Sequence, residues 1–458
     1  IATTVPGTTK RRKYTGEDAL LIHLRRLANA LSSAYYGWYV GAALFFVTFV
    51  GIGSRQGFGV FVKTWEDDLG TSVSLISVAA AVGWFMNGLS QPLFGYLTDR
   101  FGGRPVLIGS MIVMGLGIIA MSLAANVYMI IVLYGFVISF ASGGSAFATT
   151  GTIIARWFRH RRGMVISLVS SGGSIGGMLL VPFAAYLLLL TSWQTVWIVI
   201  GAMVLILGVP IVVAVVRSGP GAMDRESDPH SESTGDHLPQ PEPEGPLSTD
   251  RWRDSLSSRP MWQLSMGYFV CGITTASISV HYVRWAESEA ISVGTAALAF
   301  GLLSGINAAS VLTIGWLSDR MQRKTLLGAV YFTRAVAFLS LIVLPPNIAL
   351  WTFAVISGAS WLATVPLTTS LAADVYGVRV LGTPSGIINM AHQLGGGIAV
   401  IAFGLIFSTF DTYQPAFIGG FLTLLFAGAI SMSIAEERYS SRYVRQSRAL
   451  VVAPAESD

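Results

Sequence analysis

Arg55, Arg334, His281 and His392 carry reactive or charged groups, yet each lies inside a long apolar run. A guanidinium can hold a carboxylate through two parallel hydrogen bonds, and an imidazole titrates near neutral pH. No Asp or Glu stands in the middle of any such run; Asp99, Asp319 and Asp374 sit at run ends. An Arg at bilayer depth costs about 2.5–3.5 kcal/mol on insertion scales, so it normally faces a partner or a wet cavity. With no acid near it in sequence, Arg55 has an anionic ligand as one natural partner. Snorkelling to water or bonding to backbone carbonyls are its alternatives. Arg334 reads better as a structural bond to a neighbouring helix. His392, with Gln393 beside it, reads as hydrogen-bonded packing or as a proton carrier; His281, near a run end, as an interfacial residue or a gate.

A second constellation occurs twice. "GYLTDRFGGRP" starts at Gly95 and "GWLSDRMQRKT" at Gly315, each directly after an apolar run. Glycine lets helix ends approach closely, and Asp99 or Asp319 can face a neighbouring helix N-terminus or pair with an Arg on an adjacent loop. Arg156 is the candidate partner for Asp99. Contacts of this kind can hold one end closed and break when it opens, which makes Gly95, Asp99, Arg100, Arg104, Arg156, Gly315, Asp319 and Arg320 candidate gating residues. A fainter echo links "RGMVISLVSSGGSIGG" to "SGIINMAHQLGGGIAV". Its glycines Gly172, Gly173, Gly176 and Gly177 recur at helical spacing and suit close helix packing. The duplication makes the chain an internal repeat.

The elements that position these residues follow from composition. The chain is 53% hydrophobic and 12% charged. Twelve apolar stretches long enough to cross a bilayer as helices lie near 38–63, 72–98, 105–125, 127–155, 162–190, 194–216, 260–285, 292–318, 324–344, 347–375, 382–410 and 414–435. The alternating polarity of a membrane β-barrel is absent, so the expected class is an all-α membrane protein. Of the 29 Lys and Arg residues, all but Arg55, Lys63, Arg284 and Arg334 fall in segments that share one side when both termini are cytoplasmic. Basic short loops stay cytoplasmic. The pI near 9.3 reflects this asymmetry rather than nucleic-acid binding.

The organisation expected is a cytoplasmic segment 1–36 with an interfacial helix, a six-helix half 37–216, a disordered linker 217–258, a second half 259–436 and a tail 437–458. The linker is rich in Pro, Ser and acid, including "DRESDPHSESTGDHLPQPEPEGP". Its His230 and His237 read as solvated rather than metal-binding. Cys271, the single cysteine, reads as packing. Trp38, Trp65, Trp193 and Trp285 near stretch ends read as interfacial anchors.

Twelve spans, a central loop and the paired Gly-x-x-x-Asp-Arg loops resemble the major facilitator superfamily. "GWYVGAALFFVTFVGIGSRQGFGVFVKTW", "ARWFRHRRGMVISLVSSGGSIGG", "YFTRA", "WLATVPLT" and "HQLGGGIA" look like its branch of monocarboxylate transporters and bacterial oxalate/formate exchangers. The resemblance implies two six-helix halves around a central cavity that opens alternately to each side. It also exposes departures. The lysine that the branch carries in its first span is replaced by Gln56, with Arg55 beside it, and its Asp and Arg of the eighth span by Asn307 and Val311. Expected substrate contacts are therefore Arg55, Gln56, Asn307, His392, Gln393 and His281. The function expected is secondary active transport of small organic anions, monocarboxylates foremost, by proton symport or anion exchange. The protein would act as a monomer in the inner (plasma) membrane. An exporter of drugs or metabolites with the same fold is the alternative, and a membrane sensor a third. No Walker loop, dinucleotide fingerprint or HExxH is present, so neither an enzyme nor a cofactor or metal is expected.

Overall fold

The computed structural model describes residues 35–56, 58–71, 73–158, 162–221, 245–248 and 251–443. The expected interfacial helix, His230 and His237 fall outside them. The described residues form helices and no strand. The long helical stretches are α1 (Gly37–Gln56, followed by Phe58–Leu69), α2 (Val73–Phe101), α3 (Gly103–Ala120), α4 (Val127–Trp157), α5 (Arg162–Leu190) and α6 (Trp193–Val215) in the first half. The second half holds α7 (Arg259–Ser288), α8 (Val293–Ser318), α9 (Arg323–Val343), α10 (Pro346–Gly358 and Thr364–Tyr376), α11 (Gly382–Phe410) and α12 (Gln414–Met432).

Nine of these stretches, all but α2, α7 and α10, are long and apolar enough to cross a membrane by length and composition. The shortfall has a physical origin. In α7 the buried polar residues Thr274, Thr275 and Ser277 dilute the apolar run. The stretch read as one span at 347–375 is two helices separated by residues 359–363. Unwound backbone at membrane depth survives only where protein groups satisfy it. Here Arg334 donates to the carbonyls of Ser360 and Trp361, Ser310 to that of Ala359, and the Leu362 N–H donates to Asn307 Oδ1 at 3.0 Å.

Buried apolar side chains gather in two clusters. One is built from residues between Tyr35 and Val216, the other between Met261 and Ile434 with Ala155 added. Each half thus has its own core. Large apolar side chains such as Leu116, Leu189, Ile206 and Leu298 are instead turned outward, as a lipid-facing belt requires. The halves meet along two seams, α2 against α11 and α5 against α8.

Several expectations change. Trp65, Trp193 and Trp285 are core residues rather than interfacial anchors. Trp65 stacks on Phe61 and Trp197 and meets Trp193 edge-on, and Trp193 Nε1 donates to Asp68 Oδ2 at 2.9 Å. The stretch 217–258 is not uniformly loose. Gly245 is buried, the Leu247 N–H donates to the Val375 carbonyl at 3.1 Å, and Leu247 and Leu256 pack on the second core. The tail also docks. Glu436 and Ser440 are fully buried, and Glu436 caps the start of α9 by accepting from the N–H groups of Arg323 and Lys324.

Candidate functional site

The duplicated clusters meet across the seams. Asp99, near the C-terminal end of α2, accepts from the Gly382 N–H at 2.8 Å, the Thr383 N–H at 2.7 Å and the Thr383 hydroxyl at 2.9 Å. Those are the first N–H groups of α11. Asp319, directly after α8, accepts from the Gly163 N–H at 2.9 Å and the Met164 N–H at 3.0 Å, at the start of α5. Each carboxylate therefore caps a helix of the opposite half, where orphan N–H groups and the helix dipole favour negative charge.

The glycines of the clusters serve the same contact. A Cβ added at Gly95 would overlap the Gly382 carbonyl, and one at Gly382 the Gly95 carbonyl. At the other seam a Cβ on Gly315 would strike Ser167, and one on Gly163 would strike Ser318. Asp99 and Asp319 can reach the facing helices only because these backbones touch. The sequence allowed a helix N-terminus or an Arg as partner; both carboxylates take a helix N-terminus, and Asp319 takes Arg323 as well. Arg156 donates to the carbonyls of Val378 and Arg379 at 3.4 Å each, in the loop just before α11, and so braces that loop without bonding Asp99.

The basic residues of the clusters behave differently from expectation. Arg100 bonds the Tyr96 hydroxyl, and Arg320 stacks on Trp316 at 3.9 Å and bonds its carbonyl. Arg104 bonds the Val213 carbonyl within its own half. None of the three crosses a seam through the bonds described. The crossing is made by Arg162, whose Nη1 lies 3.0 Å from Asp374 Oδ1. Asp374 also pairs with Arg323, which reaches Asp319 at 3.3 Å. Among the described residues, the ion pairs show no counterpart at the first seam to this buried chain, Arg162–Asp374–Arg323–Asp319. Arg442 closes it from outside by donating to the carbonyls of Ser318, Asp319 and Met321.

Further from this end, the interior is polar and, among the described residues, holds no embedded acid. Gln393 Nε2 donates across the α2–α11 seam to Asn87 Oδ1 at 2.6 Å, and Gln91 Nε2 donates to the same oxygen at 3.1 Å. His392 is half-buried against the Tyr268 ring, with Nε2 3.4 Å from Thr275 Oγ1. Asn307 Nδ2 reaches Ser174 of α5 at 3.5 Å, so besides holding the α10 break it ties the second seam. Arg55 is half-buried near the end of Gly37–Gln56; its carbonyl accepts from the Tyr134 hydroxyl at 3.2 Å, and its Nε is buried without a hydrogen-bond partner. Among the described residues no carboxylate forms an ion pair with it. The Gln56 side chain lies outside the described atoms.

Arg334 is fully buried and bonds Cys271 Sγ at 3.2 Å and Thr274 Oγ1 at 3.3 Å besides its two carbonyls, which makes it a structural tie. His281 bonds the Tyr413 hydroxyl and the Val400 carbonyl, both in the second half, and crosses no seam through them. Gly172, Gly173 and Gly176 of α5 are not at a seam either. Gly172 and Gly176 lie against the Phe45 and Phe49 carbonyls of α1, Gly173 lies against Ile52, and Gly177 is buried. Their echoes Gly396 and Gly397 do lie at a seam, against Trp84 and Phe85.

Two halves joined by paired helix caps are the architecture the paired loops implied, and a family model described as the Major Facilitator Superfamily matches residues 44–400. The chain belongs to the major facilitator superfamily. As a member it is a multi-pass membrane transporter, a family whose proteins are not enzymes. It is similar to the uncharacterized MFS-type transporter YcxA of Bacillus subtilis, 26% identical over 82% of this chain and 90% of that one. It is also similar to monocarboxylate transporter 12 of Mus musculus, 22% identical over 84% of this chain and 82% of the relative. Among solved structures, the proton:xylose symporter XylE superposes with a TM-score of 0.69 at 13% identity, over 90% of this chain and 98% of that one.

Asn87, Gln91, Arg162, Arg323 and Thr383 were not singled out from sequence. For Asn87 and Gln91 a signal existed: two amides one helical turn apart in an apolar run. For Arg162 and Arg323 the positive-inside pattern hid the signal, because most of their neighbours in those loops are also basic.

Proposed function

We infer that the protein moves small organic anions, monocarboxylates foremost, by alternating access, driven by proton symport or anion exchange. The observation that carries this reading is Arg55, a fixed cation in α1 with an unpaired buried nitrogen and no acidic partner among the described residues. A carboxylate supplies both the missing charge and a bidentate acceptor. The similarity to monocarboxylate transporter 12 supports the same class. Gln393, His392 and Asn307 complete the polar interior; His392 carries a proton where the coupling is symport. The capped end, which holds the basic loops, faces the cytoplasm in the plasma membrane, both termini lie there, and a single chain is the working unit.

The test is a thermal-shift screen of the purified protein against small carboxylates, followed by affinity measurements on the best ligand. Arg55→Gln is expected to weaken binding by about 2 kcal/mol, roughly thirtyfold, within the range for hydrogen bonds to charged groups. Arg55→Lys keeps part of the affinity, because the charge survives and the bidentate geometry does not. Equal affinity in wild type and Arg55→Gln moves the anion site elsewhere.

A further inference from the structure

The amide cluster on the α2–α11 seam has a feature that its role as a seam bond does not use. Asn87 is saturated. Its Nδ2 donates to the Ser139 carbonyl at 3.2 Å and Ser142 Oγ at 2.8 Å, and its Oδ1 accepts from both Gln91 and Gln393. Each glutamine gives one N–H to that oxygen, and Gln91 Oε1 and Gln393 Oε1 are left buried with no donor. Gln91 is 1% exposed. Buried acceptors without donors are costly, and a pair of them on one cluster marks a place for a group that brings donors. Rotating the glutamine amides alone would turn their carbonyl oxygens toward Asn87 Oδ1, and rotating Asn87 with them would turn its Oδ1 toward the Ser139 carbonyl.

Tyr134 links Arg55 to the helix that carries Asn87 and Gln91. Tyr134, which bonds the Arg55 carbonyl, lies 3.5 Å from the Cβ position of Gly83, and Asn87 follows Gly83 by one turn of α2. One turn rises about 5.4 Å. A molecule that engages both Arg55 and the glutamine oxygens would carry a carboxylate at one end and a donor-rich group at the other. A hydroxyl offers one donor; a primary ammonium offers three and brings a charge that carbonyl oxygens stabilise. Among the described residues no Asp or Glu stands inside the helices at this level, so an ammonium needs its own countercharge, and the carboxylate on Arg55 supplies it.

We propose that Gln91 and Gln393 form a subsite for a primary ammonium, and that the preferred ligand is a small zwitterion, an amino carboxylate. The proposal rests on the organic-anion reading and narrows it. Thermal-shift and calorimetric titrations of the full chain compare carboxylates of three to five carbons, each with and without an amino group. An amino carboxylate is expected to bind about tenfold tighter than its amine-free counterpart, the lower end for a hydrogen bond to a charged group. Its N-trimethylated form keeps the charge, loses the donors and is expected to bind no better than the amine-free compound. Gln91→Met and Gln393→Met each remove one acceptor at similar volume and are expected to erase most of the preference. Equal binding of the paired compounds, or a preference that survives both methylation and the Met variants, overturns the subsite and leaves the organic-anion reading standing; water then fills the acceptors. Binding of neither kind of compound overturns both.

Discussion

Asp374 stands between Arg162 of the first half and Arg323 of the second, with both guanidinium groups almost wholly buried. Only the bond to Arg162 crosses the seam. When the halves part there, Asp374 and Asp319 both keep Arg323, so neither carboxylate is left as a bare buried charge. Removing the shared carboxylate has the opposite consequence, since two buried guanidinium groups lose their bond to it and Arg323 keeps Asp319. Breaking a buried pair in this way costs about 3–5 kcal/mol. Asp374→Asn is therefore expected to lower the thermal midpoint of the detergent-solubilised protein by several degrees. A conservative surface change such as Arg100→Lys leaves it in place. An unchanged midpoint in Asp374→Asn would mean that the cluster does not hold the fold.

At the scale of helices, the two caps are alike in geometry and unlike in support. The α2–α11 seam closes on Asp99, Thr383 and the touching glycines Gly95 and Gly382. The α5–α8 seam has its cap and, in addition, the Arg162–Asp374 bridge. Asp99→Asn keeps one acceptor and turns an NH₂ toward N–H donors, so it is expected to lose about 1–2 kcal/mol of closure and to slow transport with little loss of folded protein. Asp319→Asn acts in the same direction and less strongly, because the bridge remains. Flux per folded molecule in proteoliposomes measures both, and wild-type flux in both variants would reduce the clusters to topology signals. Gly95→Ala is expected to open the first seam by sterics alone. A cysteine introduced at position 378, in a Cys271→Ala background, would then label faster with an impermeant thiol reagent. Unchanged labelling would show that the close approach at Gly95 is not what keeps the end shut.

Across the whole molecule, the parts legible in the sequence were those set by local chemistry. The repeat of Gly-x-Leu-x-Asp-Arg located both seams, because close approach needs glycine and a cap needs a carboxylate at a helix end. Apolar run lengths located the helices for the same local reason. What stayed hidden depended on which residues face each other across the bundle. Arg162 and Asp374 are 212 positions apart, and nothing local in either loop marks the pairing. Asn307, read from its sequence position as polar lining, helix–helix glue or a substrate contact, also holds the α10 break, a break with no proline of its own between residues 359 and 363.

The central claim is that an organic anion crosses between halves that close on helix caps. Uptake of a labelled small carboxylate into proteoliposomes tests it most directly, with wild type, Arg55→Gln and Asp99→Asn assayed side by side. The account predicts saturable uptake by wild type that unlabelled carboxylates compete away. It predicts weaker apparent affinity in Arg55→Gln and slower flux at similar affinity in Asp99→Asn. Movement of lipophilic dyes with no carboxylate flux, or carboxylate flux indifferent to both substitutions, would contradict it.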